Sequence, residues 1–514
     1  MASSLIRGKY VVCKAKDRYA AEIVENGAVF QQDGIIVEIG AFDDLTARHQ
    51  PDAVIGSAEH VVLPGFVNSH HHVGLTPVQL GSRDHALELW FATRLGARTV
   101  DRYLDTLYSA FEMIESGVTT VQHLAGWFPG SMDQVKDVVD GILKAYRDVG
   151  MRVSYSNGLR DQNRLVYQDD AAFAKTLPPA LGEQLLDYLA TVSHPLDEQM
   201  QLFEDLYQRY NGEERMRIQL APVNLHWCSD RALEAVRDYS EKYQVPMHMH
   251  LLETAYQREY ARRRGGTTAV EYIHRFGLLS SRMTLGHGVW LTEADIDLAA
   301  ETGTHICHNA SSNLRLRSGI APLNAFEKRG LRVGMGLDEA GINDDRDMLQ
   351  ELRVALNVHR VPGMDDQVPT AAQVLRMATE HGAHTTPFAG HIGTLEPGKA
   401  ADLVVMNWKH IAYPFLDLGQ DVSVLDAIVL RARSSGVETV IVAGEPILRD
   451  GRFTRIDKDA VLDELAAAMG QPLDDDEVRR QDLSRAVFPY VKGFYDGYLD
   501  DARREPFYQQ NTRT

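Results

Sequence analysis

Four short runs carry the residue types that hydrolytic metal chemistry needs. They are Asn68-Ser69-His70-His71-His72, His248-Met249-His250-Leu251-Leu252-Glu253, Gly286-His287-Gly288 and Gly336-Leu337-Asp338-Glu339. In an extended strand, residues i and i+2 face the same side. His70 and His72 can therefore point together with His71 turned away, and His248 and His250 can do the same. Glu253 follows His250 by three residues, which lets its carboxylate reach a water held by that histidine. Any one of these residues is more often a core or surface residue than a ligand. Four such features at four comparable positions are hard to attribute to chance. Imidazole and carboxylate ligands together suit zinc or iron(II). Such a metal brings the pKa of its water toward ~7. A neighbouring carboxylate can then accept a proton and pass it to a leaving group.

These runs can converge only if the elements carrying them do. Each ends a short apolar strand candidate. Eight such candidates follow one another after about residue 62: 61–72, 117–124, 151–159, 216–223, 245–253, 283–289, 304–311 and 332–338. Amphipathic helical stretches such as 131–149, 231–243 and 292–302 lie between them. The α/β alternation predicts a closed parallel (β/α)8 TIM barrel with its functional residues at the C-terminal ends of the strands. The first ~60 residues read differently, as short strands between turns, with a hairpin turn at Asp33-Gly34. Strand character returns in GTLEPGKAADLVVMN and TVIVAGEPILRDGRF. The expected division is 1–62 and 389–457 as two parts of a small flanking β-sandwich domain, 63–388 as the barrel, and 458–514 as a helical, aromatic C-terminal extension. The aromatics of that extension are expected to pack against the barrel or a subunit partner.

A chain of 514 residues is too long for one compact core, and 44% hydrophobic with 24% charged residues excludes general disorder. A net charge of −19 argues against nucleic acid as partner, because phosphate binding needs a basic face. Cys13, Cys228 and Cys307 form no CxxC pair, which argues against a cysteine zinc knuckle or a disulfide framework. No apolar leader-like run and no membrane-length apolar run is apparent. A cytoplasmic protein acting on a small molecule is expected, with no nucleic acid or membrane partner.

Taken together, the runs resemble the amidohydrolase superfamily, in the branch of cytosine-, guanine- and adenosine-type deaminases and triazine hydrolases. The likeness is carried by PGFVNSHHH (64–72), HLLE (250–253), LGH (285–287), CHNASSNLRL (307–316), SGIAP (318–322), GLD (336–338) and GTLEPGKAADL (393–403), and extends from roughly residue 5 to 455. The resemblance implies His70, His72, His250 and Asp338 as metal ligands and Glu253 as proton shuttle. His287 would orient the attacking water or stabilise developing charge, and Asp338 is a further candidate to take a proton. Binuclear relatives carry a bridging lysine at the end of strand 4. Here that region, Leu220-Ala221-Pro222-Val223-Asn224-Leu225-His226-Trp227, has none. One divalent metal per chain is therefore expected, zinc first and iron(II) as the alternative. His248 is a candidate for supporting a ligand, with structural packing the stronger expectation. Family habit and the extension point to a homo-oligomer.

The implied reaction is hydrolysis of a C–N bond in a small aminated heterocycle, releasing ammonia or an amine. The same site would serve cleavage of an acyclic urea, carbamate or amide, or hydrolytic dehalogenation of a heteroaromatic ring. A metal-binding scaffold without turnover is the non-enzymatic alternative. Val223 stands where adenosine-type relatives place a purine-contacting histidine, which argues against adenosine and S-adenosylhomocysteine. Candidate substrate contacts are Gln122, His123, Trp127, Arg160, His226, Trp227, Asn309 and Asn313; a planar ligand suits such an aromatic wall with a few polar groups. Glu339, next to Asp338, is expected to point outward because adjacent strand residues alternate faces.

Overall fold

The computed structural model describes residues 3–72, 74–126, 128–364, 368–419 and 421–501. Eight strand positions follow one another edge to edge in parallel. They are Phe66–His71, Val118–Ala125, Arg152–Leu159, the two short pieces Met216–Ile218 and Ala221–Pro222, Met247–Leu251, Met283–His287, His305–His308 and Val333–Met335. Parallel bridges Leu220–Met247 and Asn224–His250 join the fourth position to the fifth. The bridge His71–Asp338 joins the last to the first, so the series returns to its start. The strands are buried along their lengths, as Val118–Ala125 is at every residue, which explains why they read as short apolar runs rather than alternating ones.

The helices between them follow from spacing and caps. Met132–Val149 buries Val135, Val139, Ile142, Tyr146 and Val149, one stripe of a 3.6-residue period. Ser131 and Gln134 close a capping box at its start, and Gly150 takes the left-handed conformation at its end (φ 84°). Asp230–Tyr243 and Glu293–Glu301 match the other two expected helices within two residues.

Both chain ends build a second sheet of nine strands. Its two halves meet where His60–Pro64 pairs antiparallel with Leu403–Asn407. Asp33 (φ 52°) and Gly34 (φ 84°) form the expected hairpin turn. One expectation fails here: Phe42–Arg48 is a helix, with Asp43 and Asp44 in its first turn and Leu45 buried, where short strands and turns were expected. Between His60–Pro64 of this sheet and Phe66–His71 of the ring stands Gly65. A Cβ at Gly65 would lie 2.2 Å from the Thr119 side chain, so the crossing between the two sheets needs glycine.

The extension is helical over Lys458–Met469 and Asp475–Tyr495. Leu483, Val487, Val491 and Tyr495 recur every four residues and pack with Ala92, Leu95, Leu165, Val166 and Phe173 in a second apolar core. Its aromatics pack within the chain: the ring of Tyr495 lies 5.4 Å from Tyr167 and 5.3 Å from Tyr256. Residues 502–514 of the extension lie outside the described residues.

Candidate active site

All four runs meet at the C-terminal edge of the parallel strands. Alternation along Phe66–His71 turns His71 away, where its Nε2 lies 3.2 Å from Ser109 Oγ. His70 and His72 face inward, and with His250 they form a triangle whose three Nε2–Nε2 distances are each 3.0 Å. Asp338 Oδ1 approaches this triangle to 3.2 Å from His72 Nε2 and 3.7 Å from His70 Nε2. Small residues make the convergence possible. A Cβ on Gly336 would sit 2.3 Å from Asn309 Oδ1 and 2.5 Å from His70 Cβ, and one on Gly286 would sit 3.2 Å from His70 Cε1.

The outer edges of the imidazoles decide their chemistry. A carbonyl only accepts, so the Nδ1–H of His72 donates to Leu124 O and that of His250 to Val223 O, both at 2.7 Å. His250, kept neutral, then presents a bare lone pair at Nε2, and His72 does so once the Nε2 proton it shares with Asp338 is displaced. The Nδ1 of His70 lies 2.8 Å from His248 Nε2. Lone pairs facing one another at 3.0 Å repel unless a proton or a cation lies among them. Three imidazole nitrogens and one carboxylate oxygen, each ring held from behind, fit a four-coordinate transition metal. Burial pushes His70 and His250 well below the ordinary imidazole range, which keeps their lone pairs available. Burial works against ionisation of Asp338, but the hydrogen bond from His72, the nearby His287 and the Ser312 hydroxyl (2.6 Å) hold its carboxyl low. Despite burial, His72 is held up to about 9 by Asp338; proton and metal compete for that lone pair.

Glu253 and His287 stand beside the triangle. Burial, reinforced by the Asp338 and Glu88 carboxylates, pushes Glu253 well above the usual carboxylate range. Ser318 Oγ donates to Glu253 Oε1 at 3.2 Å, and the Glu253 N–H is held by Gln257 (2.9 Å). His287 Nε2 lies 3.7 Å from Glu253 and 3.8 Å from Asp338. Its Nδ1–H donates to Asn313 Oδ1 at 2.8 Å, and Asn309 lies 3.3 Å away. Burial lowers His287, which favours the neutral ring, and its Nε2 accepts from the Asn309 amide at 3.3 Å. Leu252 (φ 53°), His287 (φ 70°) and Asp338 (φ 54°) are all left-handed, a strained conformation for such residues that clusters at this edge.

These groups open onto a cavity of about 1200 Å³. Among the described residues its lining includes His123, Arg160, Trp227 and Val223, and does not include Gln122, His226, Asn309 or Asn313. Gln122 instead donates to Ser156 inside the ring of strands (2.8 Å). His226 packs between the tilted rings of Tyr167 and Trp227. Asn309 and Asn313 hold His287, as above. His123 is bonded to the Tyr146 hydroxyl at 2.8 Å and pushed down by burial to about 3. Arg160 lies over the Trp227 ring at 4.5 Å. Trp127 lies outside the described residues. Glu339 corrects the outward expectation: it lines the cavity because the chain leaves the strand in a left-handed turn at Asp338, which breaks strand alternation. Ser312 and Ser318, bonded to Asp338 and Glu253, are site residues that sequence alone does not single out. Both lie within the quoted motifs, but a serine hydroxyl carries no spacing signature of its own.

Residues 61–447 match the model of the amidohydrolase family. The 5-methylthioadenosine/S-adenosylhomocysteine deaminase of Thermodesulfovibrio yellowstonii is 28% identical over 468 residues, covering 89% of this chain and 96% of the relative. Among solved structures, an adenosine deaminase from Xanthomonas campestris with bound zinc superposes with a TM-score of 0.77 at 24% identity, covering 91% of this chain and 97% of that one. Atrazine chlorohydrolase from Arthrobacter aurescens TC1 complexed with zinc superposes with a TM-score of 0.73 at 21% identity, covering 90% and 99%. These two likenesses show a shared fold.

Proposed function

The chain belongs to the amidohydrolase family, and from that premise we propose that it hydrolyses a C–N bond of a small aminated heterocycle, using one divalent metal held by His70, His72, His250 and Asp338. The observation that carries this reading is the triangle of Nε2 atoms at 3.0 Å with Asp338 at its edge and Glu253 beside it on one cavity wall. When bound, a transition metal there supplies Lewis acidity that brings water's ionisation toward neutral pH. Glu253 then takes the water's proton on its carboxylate and returns it to the departing nitrogen; its raised pKa suits both halves of that exchange. His287, fixed by Asn313, presents Nε2 toward the same space and orients the attacking water. Asp338, kept ionised, is a second acceptor.

Zinc is the metal we assign first, supported by the nitrogen-rich donor set. The series of eight parallel positions supports a (β/α)8 barrel over 63–388. The end sheet over 1–62 and 389–457 supports a flanking β-sandwich, since Ile36, Ile55 and Ile441 from distant strands share one apolar cluster. His123, Arg160 and Trp227 are the substrate contacts we retain. The named relative's substrates, 5-methylthioadenosine and S-adenosylhomocysteine, belong among the first compounds to assay, with apolar Val223 in the cavity wall arguing against S-adenosylhomocysteine. We place the protein in the cytoplasm, supported by three free, buried cysteines. Self-association is supported by exposed Tyr413 and Phe415. A screen of amino-purines, amino-pyrimidines and amino-triazines with ammonia and amine detection tests the reading. Release by the metal-loaded wild type and not by Glu253→Gln is expected; release by both would refute the assigned chemistry.

A further inference from the structure

A second cavity, of about 420 Å³, opens at the opposite end of the ring, where the parallel strands begin. Its wall is built from three neighbouring strand starts. Arg282 directly precedes Met283–His287, His305 opens His305–His308, and Arg332 directly precedes Val333–Met335. The pairing of Thr284 with His305 and of Ile306 with Val333 sets these starts side by side. Neighbouring strands run ~4.8 Å apart, so the two arginines leave the backbone on the order of 10 Å from each other, with His305 between them. The helix Glu380–His384 and the turn after it add His384 and Thr386. The length of a strand such as Met283–His287, roughly 15 Å, separates this end from the metal-site edge. Among the described residues none lines both cavities.

The charge of this space runs against that of the molecule. The whole chain carries −19. Yet among the described residues the lining holds two arginines and no aspartate or glutamate. Neither guanidinium is in an ion pair among the described residues. Arg282 is half-buried and donates through Nε to Ser240 Oγ (3.2 Å), which uses none of its terminal nitrogens. Arg332 is exposed and makes no side-chain hydrogen bond among the described residues. Arg329, three residues earlier, shows the usual alternative, since it is held by both Glu293 and Asp297. The histidines register the local field. Burial first, and then Arg332, push His305 down to about 4. The same two causes lower His384, with Lys399 adding to them and Glu380 opposing. Both rings are therefore neutral near neutral pH. His384 is half-buried with no hydrogen-bond partner among the described residues, so its one N–H is available to an acceptor. Two arginines without a carboxylate match a dianion, because each guanidinium can turn a two-pronged, charge-assisted donor face to phosphate oxygens.

We propose that this cavity binds a phosphate dianion, free or as the end group of a small organic monoester, through Arg282, Arg332 and His384, at a site separate from the metal. Its volume leaves room beyond the phosphate for an organic portion. The test is calorimetric titration of the full, metal-loaded chain at constant ionic strength and about pH 8, where phosphate monoesters are dianions. The probes are inorganic phosphate, glycerol 2-phosphate and the monoanionic diester dimethyl phosphate. The two dianions are expected to bind once per chain with a Kd of about 1 mM or tighter. They should bind at least about 10-fold tighter than the diester. The ratio of their two affinities tells whether the free ion or a monoester is the better ligand. Arg332→Ala, at an exposed position with no hydrogen bond to lose, should weaken both dianions at least about 10-fold. Arg282→Met should do the same, and Arg332→Lys should keep part of the affinity. Metal content and thermal melting report whether each variant is folded. Titration of the chelated protein separates this site from the metal, since binding here persists without it. Binding that is lost on chelation but unaffected by Arg332→Ala and Arg282→Met places the phosphate at the metal and overturns the site. No saturation by about 10 mM, or equal affinity for the diester, overturns it as well. So does an oligomeric state that changes with Arg332→Ala while no phosphate binds, which makes the pocket a contact between subunits. The hydrolytic reading stands or falls apart from all of these outcomes, because it turns on the other edge of the strands.

Discussion

His248 Nε2 lies 2.8 Å from Nδ1 of His70, behind the imidazole whose other edge faces His72 and His250. We assign different work to the two histidines that share a strand face, His250 to holding the metal and His248 to supporting a ligand. With its lone pair on Nε2, His70 carries its proton on Nδ1 and donates it to His248. His248→Phe keeps the volume and removes the acceptor. Metal affinity should fall about 10- to 100-fold in a chelator competition. Unchanged affinity would reduce His248 to packing.

Glu253→Gln should leave metal content at wild-type level and lower kcat by about 10²- to 10⁴-fold, because the amide cannot take a proton. Metal analysis and single-turnover kinetics measure the two halves. Turnover within a few-fold of wild type is the outcome that contradicts a proton shuttle at this residue.

We assign Asn313 a role through His287 rather than on substrate: it accepts from His287 Nδ1 at 2.8 Å and is absent from the cavity lining among the described residues. Asn313→Ala should lower kcat on the order of 10²-fold while leaving KM close to wild type, the signature of a misplaced reacting group. Asn313→Asp, which keeps the acceptor, should recover most of it. A change confined to KM would mean that Asn313 touches the substrate.

Glu351 is buried and accepts from the Ser311 N–H (3.0 Å) and hydroxyl, at the start of the helix that brings Ser312 to Asp338 and Asn313 to His287. Burial raises its carboxyl to about 7, above the ordinary carboxylate value it has when unfolded. Folding therefore favours the protonated form. The associated stability is fully present below pH ~4.5 and is lost as pH rises through about 7, amounting to about 3 kcal/mol. Urea unfolding at pH 5 and pH 8 should show Glu351→Gln losing less stability across that interval than wild type. Parallel losses would refute the assignment.

Metal analysis should find close to one transition metal per chain. Chelation should lower the melting temperature, and readdition should restore it, since binding to the folded site alone adds to stability. Two metals per chain would overturn the mononuclear assignment.

Much of this was legible because a strand displays its residues in a fixed alternation. His70 and His72 point together and His71 does not, as spacing alone required. The eight strand positions were legible because buried parallel strands are short and apolar. The limits were equally physical. Alternation stops at Asp338, where φ turns positive, so the direction of Glu339 could not follow from its neighbour. Asn309 and Asn313 sit on a helix that begins where a strand ends. Their target, His287, is set by packing across the ring rather than by distance in sequence. The extension's place over the cavity depends on Gly96 meeting Gln481 and on Ser484 meeting Ala92, contacts between segments nearly four hundred residues apart that no local pattern encodes.

The pairing of His60–Pro64 with Leu403–Asn407 has a consequence for how the molecule is made. During synthesis the edge formed by Val61, Val62 and Leu63, fully buried in the finished fold, waits for a strand about 340 residues downstream. At ~5–20 residues per second that wait is roughly 20–70 s. Through that interval the nascent chain presents an unpaired apolar edge to its surroundings. That edge is therefore exposed to mispairing until Leu403–Asn407 has been made.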